Sequence, residues 1–284
     1  EMATYLRWLG YTGFFFSFGP LVDSVFIASG NTALPMKLQL LATLLNAFLN
    51  WLLIYRMGMG IAGAAMASGI SRAAASSIGL ALLWRTFRPE LGMDSQLLRT
   101  AKVGTPLAMG TAGFALAYWV LLKLVVSPMG APVYAALGIG FSVLEGCAWP
   151  LYAGIITALP SLVGRQIGAG ATEELDKTIR LSFPTATVMG LFFTLVMCLG
   201  AEVICSRFTQ DPETLREAVL YARIIGLSQL FVSYETFAEG ILAGAGDTRT
   251  VFWTSTPLNF LRIPLAWALA FPLGMGSAGI WWAI

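Results

Sequence analysis

Histidine is missing altogether from these 284 residues, which removes imidazole acid/base catalysis and His-ligated metal sites from this segment. Charge is scarce as well. Only 11% of the residues are Asp, Glu, Lys or Arg, against roughly 25% in an ordinary soluble domain. The net charge of +2 leaves no basic stripe for nucleic acid. The three cysteines, Cys147, Cys198 and Cys205, lie in apolar surroundings without Cys-x-x-Cys spacing and read as core thiols. No catalytic residue, metal ligand set or cofactor motif is expected, and no nucleic-acid partner. What fills the chain is apolar: 57% hydrophobic side chains and a mean hydropathy of +0.75. A soluble globule must still cover its surface and does not need that much, so the composition is that of a polytopic membrane protein.

Eight apolar runs are long enough to cross about 30 Å of hydrocarbon, near 8–28, 33–55, 61–84, 103–126, 132–162, 181–205, 219–243 and 251–273, and a ninth begins near 278. None alternates with the period of two that a membrane β-barrel requires. The expected fold is therefore all-α, because helices satisfy their own backbone groups in lipid. Polar joints are expected near 29–32, 85–102, 164–180, 206–218 and 244–250, and tight Gly- or Pro-bearing turns at 57–60, 127–131 and 274–277. Lysine and arginine favour the side that carries 85–102 and 164–180, which places those loops in the cytoplasm and the protein in the cell (inner) membrane.

A repeat organises these spans. Gly30-Asn31-Thr32, an apolar run and Gly58-Met59-Gly60-Ile61-Ala62-Gly63 return 216 positions later as Gly246-Asp247-Thr248, a run of equal length and Gly274-Met275-Gly276-Ser277-Ala278-Gly279. Leu45, Leu49, Trp51 and Leu53 recur as Leu261, Leu265, Trp267 and Leu269 at the same offset. Solenoid units are far shorter, roughly 20–50 residues; a long repeat of membrane spans marks two homologous halves of a transporter, with a substrate site expected between them. Spans one to three then match spans seven to nine. A six-plus-six helix architecture follows, with 1–88 the last three helices of the first lobe, 89–102 a cytoplasmic linker and 103–284 the second lobe with its last helix incomplete. Two full halves need on the order of 430 residues, so further sequence is expected on both sides.

Four carboxylates fall inside spans: Asp23, Glu145, Glu235 and Glu239. Each costs roughly 2.5–3.5 kcal/mol at a lipid-facing helix centre, so each must face a cavity, pair with a cation or carry a proton. Glu235 and Glu239 are one helical turn apart, and two carboxylates so close in a low dielectric share a proton rather than both ionising. The offset of 216 makes Asp23 the counterpart of Glu239. Arg72 and Arg262 also fall near span centres; Arg262 precedes Pro264, where a kink frees a carbonyl, and pairing with one of the glutamates would compete with a protonation role. Asn46 and Asn50, one turn apart, with Ser68 on the next span, form a possible first-lobe cation site or a set of interhelical hydrogen bonds. Prolines 20, 106, 150, 160, 184, 257 and 264 punctuate the spans.

The paired strings, Gly244-Ala245-Gly246-Asp247-Thr248-Arg249-Thr250 with Gly30-Asn31-Thr32 and the two Gly-Met-Gly-x-Ala-Gly turns, resemble the multidrug and toxic compound extrusion (MATE) family. Val163-Gly164-Arg165-Gln166-Ile167-Gly168-Ala169-Gly170 is similar to the family's Val-Gly-Gln-x-x-Gly-Ala-Gly, with Arg165 at the usual Gln place. The resemblance runs from the family's fourth helix to the start of its twelfth. It implies a twelve-helix, two-lobed antiporter that exports organic cations or other amphipathic compounds in exchange for protons or sodium. Glu239 and Glu235 then lie in the tenth helix, where many members place a coupling acid, and Glu145 in the eighth. Gly104-Thr105-Pro106 is not followed by the acid many members carry in that span, and Asn50 stands where many have Asp, which weakens a first-lobe sodium site; protons are expected over sodium as the coupling ion. A monomer in contact with lipid and a small amphipathic substrate is expected. The alternative is a lipid-linked oligosaccharide flippase of related two-lobe plan, for which Arg72, Arg262 and Lys123 are the available cavity cations. A membrane enzyme is disfavoured by carboxylates scattered over separate spans.

Overall fold

A computed structural model describes residues 2–88 and 95–284, and all of its regular structure is helical. The helices are α1 (Met2–Ala28), α2 (Ala33–Asn50) continued by a π-helical turn Trp51–Arg56, and α3 (Gly60–Phe87). They are followed by α4 (Ser95–Leu121), continued by a π turn Leu122–Val126 and a 3-10 turn Ser127–Met129. Next come α5 (Ala131–Ile139), a π turn Gly140–Glu145 and α6 (Gly146–Gly168) in one unbroken run, then α7 (Thr172–Cys205), α8 (Pro212–Gly244), α9 (Thr248–Ala270) and α10 (Ser277–Ala283). Among the described residues this gives eight long helical runs and a short ninth, the number expected. Among the described residues five runs are long and apolar enough to cross a membrane: Ala33–Arg56, Gly60–Phe87, Leu97–Met129, Ala131–Gly168 and Thr172–Cys205; α1 adds the shorter apolar stretch Phe15–Ala28. Large apolar side chains point outward along them, Leu199 being 79% exposed, as lipid contact requires.

The chain divides into two compact units, Glu1–Met93 and Asp94–Ile284. In the first, α3 packs against both α1 and α2. Val22, Phe26 and Leu38 form the small core, and Gly79 of α3 admits Val22 and Leu38 because it has no Cβ to meet them. In the second, α8 is the central helix. Its Tyr221, Ile224 and Ile225 join one core cluster with α4, α9 and α10, while Ala218 and Ala222 join another with α6 and α7. Gly226 lets α8 approach Met197 and Cys198 of α7, and Gly190 of α7 approaches Leu230 of α8, the close small-residue packing by which membrane helices associate.

The repeat is visible in the backbone. Gly30 and Gly246 take φ values of 88° and 81°, Gly58 and Gly274 65° and 67°, and Gly60 and Gly276 53° and 60°, a left-handed region that L side chains avoid. Asn31 Oδ1 accepts from the Leu34 amide and Asp247 Oδ1 from the Thr250 amide, both at 3.2 Å, so equivalent residues satisfy equivalent orphan donors at the starts of α2 and α9.

Several joints are shorter than the sequence suggests. The polar stretch 164–180 is almost wholly helical, because α6 runs to Gly168 and α7 starts at Thr172. Glu173 and Glu174 sit in the first turn of α7, where the helix dipole favours acids, and Asp176 pairs with Arg180 one turn on at 2.9 Å. Similarly, α4 begins at Ser95, inside the expected joint 85–102. The joint near 206–218 closes at Pro212, the first residue of α8, with Asp211 Oδ2 accepting from the Thr214 amide at 2.9 Å. The Thr214 side chain and backbone hydrogen bonds hold the Asp211 carboxyl below the usual carboxylate range. A carboxylate depressed on folding stabilises above its unfolded pKa, about 3.9, and loses that contribution as the pH falls through the folded value. Asp211→Ala therefore lowers the thermal midpoint of the purified full-length protein at neutral pH, and the deficit shrinks as the buffer is acidified below about pH 4.

Candidate functional site

Each acid singled out in the sequence lands in a different polar setting. Glu239 lies five residues before the end of α8, half-buried, and its Oε1 accepts from Ser255 Oγ of α9 at 3.0 Å. Glu235, one turn earlier, is exposed and stands close enough to act on Glu239 electrostatically. Serine can hydrogen-bond a carboxylate or a carboxyl group, since a hydroxyl donates and accepts; the niche accommodates either state of Glu239.

Glu145 is the last residue of the π turn Gly140–Glu145 and takes a hydrogen bond from the Tyr221 phenol of α8. Arg262, half-buried on α9, acts electrostatically on Glu145 and on Tyr118 of α4. The electrostatic influence of Arg262 thus reaches Glu145, while Ser255 and Glu235 act on Glu239.

The first unit places Asp23 of α1 in a cavity of about 240 Å³ lined also by Gln39 of α2 and Arg72 of α3. Arg72 Nη1 donates to Gln39 Oε1 at 2.9 Å and acts electrostatically on Asp23. Asn46, Asn50 and Ser68 are brought together: Asn50 Nδ2 donates to Asn46 Oδ1 at 3.0 Å, and Asn46 Nδ2 to Ser68 Oγ at 3.3 Å. This is a hydrogen-bonded chain between α2 and α3. Lys123, the remaining cation considered for a flippase, lies 5.1 Å over the Trp119 ring, while Arg72 and Arg262 belong to separate units.

Sequence reasoning passed over Ser255, Tyr221 and Tyr118. For Ser255 a signal was present: it is the repeat partner of Gln39, as Glu239 is of Asp23. In both units the acid of one helix and a polar residue near the start of the next share one niche. Nothing in the sequence marked Tyr221, because a tyrosine in an apolar span has no spacing signature; its meeting with Glu145 is a product of packing.

The model of the MatE family matches residues 106–268. The chain is 27% identical over 280 residues to a probable multidrug resistance protein NorM of Thermotoga maritima, covering 94% of this chain and 59% of that protein. It is 27% identical over 275 residues to the protein of the same description in Photorhabdus laumondii, covering 89% and 59%. Among solved structures it superposes on the MATE transporter VcmN of Vibrio cholerae with a TM-score of 0.82 at 21% identity, over 98% of this chain and 64% of that one. It also superposes on an outward-facing multidrug resistance MATE family transporter with a TM-score of 0.86 at 18% identity, over 99% and 64%. At these identities the structural likeness concerns the fold. The chain spans 59% of the length of the two NorM relatives. With an all-helical membrane fold, a repeat built on paired glycine turns and a family model that matches more than half of its length, the chain belongs to the MatE family.

Proposed function

We propose that this chain is the greater part of a secondary active antiporter that exports small amphipathic or organic-cation compounds. Export is driven by inward movement of a cation, protons in preference to sodium, as two lobes alternate access to a substrate site between them. The observation that carries this reading is Glu239. It is a half-buried carboxylate on α8, hydrogen-bonded to the neutral Ser255 and electrostatically opposed by Glu235. A group so placed is costly to keep charged in lipid surroundings and has a hydroxyl partner for both protonation states; it suits a residue that loads and releases a proton. The NorM relatives are named as multidrug resistance proteins, which supports drug-like substrates. Inner-membrane residence with 85–102 and 164–180 in the cytoplasm, and operation as a monomer, belong to the same reading.

The first lobe favours protons too. With Asn50 in place of a carboxylate, the Asn46–Asn50–Ser68 chain offers neutral oxygens only, and a sodium site normally includes a carboxylate. The test is made with the complete protein in proteoliposomes containing a pH-sensitive dye. Substrate addition in sodium-free buffer is expected to dequench the dye, and sodium to add nothing. Substrate movement that requires sodium and leaves the dye unchanged would reject the proton as coupling ion.

A further inference from the structure

The first unit holds a cavity of about 240 Å³ to which the scheme above gives no task. Three helices meet at it, and the charged or amide groups come one from each: Asp23 of α1, Gln39 of α2 and Arg72 of α3. The rest of the wall is mostly apolar, with Phe16, Pro20 and Leu38 in it. Asp23 is half-buried, while Gln39 and Arg72 are exposed. Arg72 Nη1 donates to Gln39 Oε1 at 2.9 Å, which holds the guanidinium at the cavity and leaves its other N–H donors for another acceptor. Arg72 acts electrostatically on Asp23, yet among the described residues the two do not close an ion pair.

Opposite charges that face one cavity without meeting select for a ligand that carries both. Burying a charge is costly unless a partner compensates it. A lone cation entering here is attracted by Asp23 and repelled by Arg72, and a lone anion meets the reverse. A zwitterion sets its ammonium against the Asp23 carboxylate and its acidic group against the Arg72 guanidinium, so every desolvated charge is paired. A planar guanidinium also takes a carboxylate or phosphate through two parallel hydrogen bonds. The repeat sharpens the contrast. The positions equivalent to Gly19, Asp23 and Gln39 are Glu235, Glu239 and Ser255, at the offset of 216. Where the second unit sets two acids together, the first has glycine, one acid and an arginine at the same cavity.

Asp23 stands five residues before the end of α1 and Gln39 six residues after the start of α2, roughly 8–9 Å along the helices from the turn that joins them. On the orientation proposed above, that turn faces the cytoplasm, the side from which an exporter takes its substrate. We infer that this cavity binds amphipathic zwitterions, with Asp23 receiving the ammonium, Arg72 the carboxylate or phosphate, and Gln39 positioning Arg72. The inference rests on the export reading and adds zwitterions to the compounds the transporter carries.

The test uses the complete protein in nonionic detergent and three fluorescent probes with one dansyl body. These are Nε-dansyl-lysine, a zwitterion; dansylcadaverine, its decarboxylated cation; and dansylaminohexanoate, its deaminated anion. The parent is expected to bind the zwitterion at least about tenfold more tightly than either of the others, the scale of one charge-assisted hydrogen bond. Arg72→Gln is expected to remove the preference over the cation and keep that over the anion; Asp23→Asn is expected to do the converse. Equal binding of the three probes by the parent, as when the remainder of the first lobe fills the cavity, would overturn the inference. So would variants that weaken all three probes alike, because both residues would then act on the fold and not on a ligand. Phosphatidylethanolamine carries the same two charges and is added as a competitor. Dansyl-lysine binding that it leaves unchanged supports a soluble ligand, and displacement by stoichiometric lipid would make this a headgroup site and overturn its part in export. Preferences that follow Asp23 and Arg72 in a protein whose proteoliposomes export nothing would keep the site and reject the export reading instead.

Discussion

Glu239→Gln in the complete protein is expected to abolish substrate-dependent proton exchange, down to the leak of protein-free liposomes, with insertion into the membrane retained. Glutamine keeps the shape of the side chain and still receives the Ser255 hydroxyl, which lies 3.0 Å from Glu239 Oε1, so packing between α8 and α9 is preserved. What is lost is the ability to take and give a proton. Serine alone cannot replace it, because a hydroxyl does not hold a proton charge near neutral pH. Ser255→Ala separates the two roles: one hydrogen bond to a charged group is removed, worth about 1.5–3 kcal/mol, and exchange is weakened but not abolished. Glu235→Gln relieves a repulsion rather than removing a carrier, and substrate-driven exchange persists in it. The measurement is dye dequenching on substrate addition at matched protein incorporation. Full exchange by Glu239→Gln would move the coupling role to another acid, such as the half-buried Glu145 of that unit.

The repeat explains why Glu239 rather than Asp23 carries this expectation. At the equivalent place in the first unit Asp23 has an arginine near it, with Arg72 itself held by Gln39 at 2.9 Å. Asp23 thus has a cationic neighbour, whereas the groups acting on Glu239 are the neutral Ser255 and the acidic Glu235. Sequence pattern made the acids, the repeat and the helix count readable, since each depends on composition and spacing: eight apolar runs became eight long helical runs, and the glycines of the repeated turns took matching left-handed conformations. It failed where partners meet across helices. Arg262 was left free to join any glutamate, and only the three-dimensional arrangement brings its charge to bear on Glu145. The joint at 164–180 read as a loop because its charges resemble a solvated linker, yet Glu173, Glu174 and the Asp176–Arg180 pair are good helix-start and helix-surface chemistry.

Gly279→Ala is expected to destabilise the second unit by about 1–3 kcal/mol, the usual cost of overpacking, and to lower its thermal midpoint by several degrees. Gly279 is buried just inside α10, after the tight turn that leaves α9. A Cβ there would lie 2.7 Å from the Leu269 carbonyl carbon and 2.8 Å from the Ala270 nitrogen. Both obstacles are backbone, so no side-chain rotation relieves them and α10 must shift off α9. That displacement loosens Ile280 and Trp281, both buried in the core cluster shared with Tyr221. The repeat supplies an internal comparison: Gly63 stands 216 positions earlier, and its added Cβ would meet Met59 Cβ at 3.0 Å and the Leu53 carbonyl carbon at 3.1 Å. Gly63→Ala is therefore expected to act in the same direction with a smaller effect. Gly138→Ala is the neutral control, because a Cβ there meets nothing within 4 Å, and alanine favours the helix over glycine. The ranking Gly279→Ala below Gly63→Ala below Gly138→Ala in thermal midpoint, measured on the purified complete protein, checks the shared turn-and-helix packing of the two halves. A Gly279→Ala protein as stable as the parent would show that α10 is not held against α9 by that contact.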